Sequence, residues 1–375
     1  MLLLNLNIRV LNKWLLCLFV FSIAFERAFP FLPGMSYPKF IGILYVTSLL
    51  CNPAYLKLLK QLQIPSIIFI FFLLFLFMNF LNGGIFEYGI GKIDTSFLLN
   101  IALVLFLLVH EKMEQYILPK SLIFFFFGYL FLVLAYYLGY YQVGIGGRVR
   151  IGAALPNSLA FFGVFAICSS FILSSIYRNR SIFTKLFQVI SILMIISLVL
   201  ATGSRSAFIS LVLVFGVFLF CSNTNRFGFV LLGVIFIPIF FLSSAILTER
   251  IAVTATEGDL GGRLALILFV TELIYENPLW GIGKLQYDFL AEKYFGNSPS
   301  PHNVFLETYL YGGLAAFTAW LAILFKLLRT AFNQYKATGI FNSLILLPPI
   351  LLMGVSGQIF NNSIVFLVIA VILST

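Results

Sequence analysis

One histidine and four arginines are the residues of this chain best placed to do chemistry: His302, Arg205, Arg263, Arg148 and Arg150. Arg148 and Arg150 come shortly before Pro156-Asn157, where an apolar run begins. Arg205 sits in Thr202-Gly203-Ser204-Arg205-Ser206 at the start of another. His302 closes Pro299-Ser300-Pro301-His302 ahead of a third, with Asn303 and Glu307 just behind it. Arg263, in Gly261-Gly262-Arg263, stands in the longest polar stretch of the chain. A helix start offers unpaired backbone N–H groups and a partial positive charge, so arginines grouped at helix starts suit an anion. A histidine titrates near neutral pH and suits proton transfer. Together they would hold a large anion beside a base, with Asn303 and Glu307 in support.

The elements that must position these groups are transmembrane helices. Of the 375 residues 61% are hydrophobic and only 10% are charged, far outside the range of soluble domains. A net charge of +10 could suggest nucleic acid in a soluble protein. Here it reflects Lys and Arg gathered in cytoplasmic loops, and no nucleic acid partner is expected. At about 20 apolar residues per bilayer crossing, the sequence predicts an all-α polytopic membrane protein of about twelve spans. These are 14–30, 38–52, 64–81, 95–110, 119–141, 155–176, 182–201, 204–222, 226–246, 303–328, 341–356 and 359–374, the second, fourth and last two being short. The whole chain, 1–375, reads as a single transmembrane domain. Residues 248–303 form a long extracytoplasmic loop between spans nine and ten.

Orientation follows from the basic residues. Arg9, Lys13, Lys57, Lys60, Lys112, Lys120, Arg178, Arg180, Lys185 and Arg226 fall on the side of the N-terminus, together with Lys326, Arg329 and Lys336. The positive-inside rule then puts both termini in the cytoplasm and the long loop outside. The first apolar run lacks a small-residue cleavage site and reads as an uncleaved span. Spans six, eight and ten consequently start at the outer face, with Arg148, Arg150, Arg205 and His302 at their heads. Ser300 is the expected N-cap of span ten and Pro301 its first helical residue. Within the loop, 263–276 reads as a short apolar helix that lies in the interface or re-enters, ended by Pro278. Residues 284–294 read as an amphipathic cover with Leu285, Phe289 and Leu290 inward.

Other groups are weaker candidates. His110, in His110-Glu111-Lys112, is expected in a solvated inner connection, and Glu26-Arg27 at the outer end of span one are expected to pair or snorkel. Glu272 and Glu276 share a helix face, which suits a solvated surface as well as a catalytic pair. The acids are too few and scattered for a divalent site, so neither metal nor cofactor is expected. The four cysteines all lie in apolar runs, without metal-ligand spacing. His302 itself is open to two readings, a capping or packing residue and a base. The arginines likewise suit lipid headgroups or a ligand, although a charge one residue inside a span, as at Arg205, is costly without a partner.

Three motifs in order resemble the O-antigen ligase and polymerase superfamily of bacterial membrane glycosyltransferases. They are Thr202-Gly203-Ser204-Arg205-Ser206; Gly262-Arg263 followed by Asn277-Pro278-Leu279-Trp280-Gly281-Ile282-Gly283; and His302-Asn303 with Leu306-Glu307 and Gly312-Gly313-Leu314. The resemblance covers about residues 186–328. It implies transfer of a glycan from an undecaprenyl-pyrophosphate-linked oligosaccharide to an acceptor hydroxyl, with inversion and without a metal, at the outer face of the bacterial inner membrane. It further implies that Arg205 and Arg263 hold the pyrophosphate, with Arg148 or Arg150, and that His302 activates the acceptor. Expected partners are the lipid-linked donor, the glycan acceptor, membrane lipids and a chain-length regulator. The expected activity is repeat-unit polymerisation of a surface polysaccharide such as O-antigen or capsule. The alternative within the family is a ligase acting on lipid A core. A lipid-linked sugar transporter is the alternative from another class, opposed by the absence of charge from most span centres. A metal-dependent sugar-phosphate transferase should carry acids in its first outer loop, and Phe31 to Lys39 has none.

Overall fold

The structure is a computed structural model and describes residues 2–32, 35–61, 66, 69–71, 73–74, 95–144, 147–177, 181–221, 264–356, 359–360 and 362–374. The third and ninth expected spans therefore lie largely or wholly outside the described residues, as do Arg263, Arg178 and Arg180. What is described is almost entirely helical: α1 Leu2–Ile23, α2 Tyr37–Leu50, α3 Pro53–Gln61, α4 Thr95–Met113, α5 Ile117–Tyr137, α6 Pro156–Ile176, α7 Ile182–Ala201 and α8 Arg205–Cys221. The loop helices α9 Leu264–Glu276 and α10 Gly283–Phe295 follow, then α11 Val304–Thr338, α12 Asn342–Ile345, α13 Leu347–Ser356 and α14 Ser363–Ser374. Two small antiparallel hairpins complete it, β1 Pro30–Leu32 with β2 Met35–Ser36 and β3 Gln142–Val143 with β4 Val149–Arg150.

Four of these helices, α5, α6, α7 and α11, are long and apolar enough to cross a membrane. The centre of the bundle is α6, whose residues 159–173 are all buried and which packs against α5, α7, α8, α12 and α13. Pro156 starts it, where a missing N–H costs nothing. The tight packing depends on Gly163, where a Cβ would lie 2.5 Å from Val199 on α7 and 2.8 Å from the Tyr129 hydroxyl on α5. That hydroxyl donates to the Leu159 carbonyl at 2.8 Å. By contrast α7 exposes Ile182, Phe183 and Phe187, the mark of a helix facing lipid.

The last helix departs from a simple span. At 12 residues α14 is about 18 Å long, short of a hydrocarbon core, and Ile364 to Ile372 are wholly buried against α4, α5 and α11. Its first turn is capped by Glu26, whose carboxylate accepts from Ser363 N at 2.9 Å and Ser363 Oγ at 2.6 Å. Arg27 Nε points to Asn362 Oδ1 at 3.4 Å. The Glu26 side chain is therefore buried at a helix start, a role that the expectation of pairing with Arg27 or snorkelling did not include.

His110 also departs from expectation. It is fully buried, 2.8 Å from the Tyr45 hydroxyl through Nδ1 and edge-on to Tyr55. Helix α4 continues to Met113, so Glu111 and Lys112 belong to its last turn, and Glu114 just beyond it pairs with Lys13 at 2.8 Å. A partner on α2, distant in sequence, lets the imidazole stay inside.

Candidate functional site

Arg148 precedes β4, and its side chain reaches across to two helix ends. Nε donates to the Thr202 carbonyl at 2.9 Å and Nη2 to Asn157 Oδ1 at 2.5 Å. The start of α6 and the α7–α8 turn are thus fastened together at one end of the bundle. Arg148 uses two of its donors for this fastening, which makes it a brace between the two helix ends. Arg150, two residues on, is exposed on the hairpin.

The α7–α8 turn is built by its own sequence. Thr202 closes α7 and is buried; its hydroxyl donates to Val199 O at 2.6 Å and accepts from Ser204 N at 3.3 Å. Gly203 takes φ +61°, a left-handed conformation that ends helices cheaply only as glycine. Ser204 O accepts the first helical bond of α8, from Phe208 N. Arg205 is the first residue of α8 and half-buried, and the Ser204 hydroxyl beside it is buried without a hydrogen-bond partner among the described residues. A helix start, an arginine and a buried hydroxyl meet at this turn.

The same end of the bundle holds the rest. The loop before α6 is pinned to the end of the first helical segment, Ala153 N donating to Ala28 O at 3.0 Å, one residue beyond the Glu26-Arg27 cap of α14. A Cβ on Gly354 would lie 3.1 Å from Ile359 and 3.8 Å from the Phe305 ring, which brings the first turn of α11 beside the segment leading into α14. The starts of α6, α8, α11 and α14 therefore share one end. Starts on one face were expected for the first three, and the same span count begins the twelfth span, 359–374, on that face; the Glu26 cap on α14 was not foreseen.

Around His302 the geometry corrects the sequence reading. The N-cap of α11 is Asn303, whose Oδ1 accepts from Phe305 N at 2.9 Å and Leu306 N at 3.3 Å, and the helix begins at Val304. Ser300 does not cap it. Its hydroxyl accepts from His302 N at 3.3 Å and donates to Glu307 Oε1 at 2.7 Å, linking the histidine's backbone to a buried carboxylate. His302 has φ +51°, a sparsely populated conformation for a side chain with a Cβ. It is held there by Pro301, Ser300 and the Asn303 cap.

Behind this segment stands α10. Tyr287 donates its hydroxyl to the Pro299 carbonyl, and Ser298 donates to Asp288 at 2.5 Å. Burial, followed by the charges of Asp288 and Glu307, pushes the Tyr287 phenol upward, so it remains a donor. Tyr287 and Ala291 form the inward face of α10, while Phe289, expected inward, is exposed. The buried stripe is set by contact with Tyr311 and Phe269 rather than by the bulkiest apolar residues of the helix.

The motif Asn277–Gly283 has an architectural role. Helix α11 is broken at Gly313 (φ +65°, ψ −163°), and the turn after α9 fits into the break. Ile282 N donates to Leu310 O at 2.7 Å, and Leu314 N donates to Leu279 O at 3.1 Å. Gly281 and Gly313 lie against each other, where a Cβ on Gly313 would be 2.2 Å from the Leu279 oxygen. The glycine pair holds the loop helices to α11 and so fixes what stands behind His302.

These features define an all-helical, membrane-type protein with an arginine-bearing turn and a strained histidine at one end of the bundle. Residues 189–321 match the family model described as O-Antigen ligase, and the match supports the O-antigen ligase/polymerase superfamily. It runs from α7 to the middle of α11 and contains Arg205, Arg263, His302, Asn303, Glu307 and Gly313, whereas Arg148 and Arg150 precede it. A comparison with curated proteins gives no match.

Proposed function

We propose that this chain polymerises undecaprenyl-pyrophosphate-linked repeat units of a surface polysaccharide, of O-antigen or capsule type, at the outer face of the bacterial inner membrane. The observation that most supports the reading is that the Arg205 turn and the His302 segment both fall within the stretch matching the O-Antigen ligase family. The chain would cross the membrane about twelve times. Both termini would be cytoplasmic, and residues 248–303 would form the outer loop between the ninth and tenth spans.

In this mechanism Arg205, Arg263 and the start of α8 hold the donor pyrophosphate. Arg148 braces the turn that presents Arg205, and Arg150 contributes charge at the rim. The acceptor hydroxyl attacks the anomeric carbon from the face opposite the leaving group. The carbon–oxygen bond to the pyrophosphate breaks, its electron pair leaves with undecaprenyl pyrophosphate, and the anomeric centre inverts. His302 takes the acceptor's proton, with Asn303 and the Ser300–Glu307 pair holding its backbone. Pyrophosphate is a good leaving group, so fixed cations and helix dipoles can supply the charge stabilisation without a metal.

A ligase that transfers the glycan to lipid A core uses the same donor chemistry and belongs to the same superfamily. An in vitro transfer assay separates the two. Purified protein in nanodiscs receives a lipid-pyrophosphate glycan from its own host, with EDTA present, and is compared with His302→Ala, Arg205→Ala and Arg263→Ala. A product ladder that survives EDTA and is lost in the folded variants is the expected result. A single addition to lipid A core would replace polymerase with ligase. Movement of labelled lipid across a liposome bilayer without any transfer would replace the enzyme with a transporter.

A further inference from the structure

The loop helices form an antiparallel hairpin. Phe269 of α9 stacks on Tyr294 and meets Phe295 near the end of α10, while the other ends of both helices meet at the turn of residues 277–282. From that turn α10 rises along α11, with Tyr287 beside Tyr311, toward Pro299 and His302. The turn is therefore the deep end of the hairpin and the His302 segment is near its mouth.

The depth of the turn can be read from α11. Counting inward, the first basic residue of this helix is Lys326, and the 20 or so residues a bilayer requires place the outer hydrocarbon boundary near Leu306. Gly313 lies seven positions further on, which at 1.5 Å per residue is about 10 Å inside that boundary. The turn is bonded to this level by Ile282 N to Leu310 O and by Leu314 N to Leu279 O.

At that level the hairpin exposes apolar surface. Leu279 is 60% and Trp280 66% exposed, and Leu264, Leu268 and Tyr275 make an exposed stripe on α9. The stripe continues without interruption onto α11, where Leu314, Leu321 and Phe325 are exposed at helical spacing. Leu314 joins the two surfaces, its N–H bonded to Leu279 O. The acidic residues lie to one side: Glu272 and Glu276 stand about 60° and 100° around α9 from the centre of the stripe at 100° per residue. The other face, Leu266, Val270 and Leu273, packs against α10 and α11.

From the notch at Gly313 and the continuity of these two surfaces, we infer that the outer loop is re-entrant. Its α9–α10 hairpin descends into the outer leaflet, and Leu279 and Trp280 contact acyl chains below the headgroups. The hairpin is then a wall with lipid on the Leu268–Tyr275–Trp280 side and water on the Glu272–Glu276 side. This inference rests on α11 crossing the membrane with its start outward. It does not depend on which transfer reaction the protein performs.

Depth-dependent fluorescence quenching tests it. The chain has three tryptophans, Trp14, Trp280 and Trp320, so the difference between wild type and Trp280→Phe isolates the Trp280 emission. Full-length protein is placed in nanodiscs containing phosphatidylcholine brominated at shallow or deep chain positions. The expected result is a blue-shifted Trp280 component that is quenched by chain bromines and insensitive to aqueous iodide. Quenching by iodide and not by bromine would put the turn in water and overturn the inference. Quenching by neither would mean that protein, such as a second copy, covers the surface, and would also overturn it. A parallel measurement uses Asn297→Cys and Trp280→Cys with a membrane-impermeant maleimide applied from the outside, and wild type as the cysteine background. Cys at 297 should label and Cys at 280 should not. Labelling at both positions refutes re-entry, and labelling at neither refutes the outward orientation on which it rests.

Discussion

At the α7–α8 turn Arg205 is carried by the interior of the bundle. Thr202 is buried, Gly203 makes the bend, and Arg148 fastens the turn to the start of α6. At the start of α11, His302 is carried by a loop. Ser300, Asn303 and Tyr287 hold its segment from three sides, and the hairpin behind it is attached through a glycine notch. The first arrangement holds a charged side chain on a fixed turn. The second leaves the histidine on a loop-borne segment, which adjusts where a core turn does not. The local conformations reflect this difference: left-handed backbone falls on a glycine in the core turn and on the histidine itself in the loop.

The sharpest way to break the second arrangement is Gly313→Val. The side chain would meet the Leu279 carbonyl in a backbone conformation that valine resists. We expect a loss of more than about 3 kcal/mol, seen as a collapse of the thermal unfolding midpoint. Gly216→Val on α8, where a Cβ meets nothing within 4 Å, should leave that midpoint unchanged. Next in size are Arg205→Ala and His302→Ala. Each should lower transfer by about 100-fold or more while the unfolding midpoint stays that of wild type. A fall in midpoint equal to that of Gly313→Val would make the residue structural. Arg148→Ala should lower stability by about 2 kcal/mol, because two part-buried acceptors lose a charged donor. Arg148→Lys should not restore it, since an ammonium cannot span Thr202 and Asn157 at once. The smallest effect is expected for exposed Arg150→Ala, within about 0.5 kcal/mol in stability. A larger loss of transfer than of stability there would move Arg150 from the rim into the anion site.

The sequence reached the helical class, the position of both loop helices and the grouping of helix starts with cationic residues, because hydropathy and turn residues are local signals. It missed contacts made at long range. Nothing near Arg148 indicates Thr202, 54 positions away, and nothing near Glu26 indicates Ser363. Ser300 and Asn303 are both good N-cap residues, and only the position of the Glu307 carboxylate decides between them. His110 was misjudged from its charged neighbours, although its partner is Tyr45 on another helix. In Asn277–Gly283 the glycines signal close backbone approach, but the surface approached, the break at Gly313, lies some thirty residues further on.

The cap that Glu26 places on α14 has a consequence for biogenesis. The carboxylate is made among the first residues and its partner Ser363 more than three hundred residues later, at ribosomal rates of about 5–20 residues per second. For most of synthesis, then, the acid is without the helix it caps. The end of the bundle that carries Arg148, Arg205 and His302 can close only when α14 docks. Docking of α14 would therefore be a late step in completing that end of the bundle.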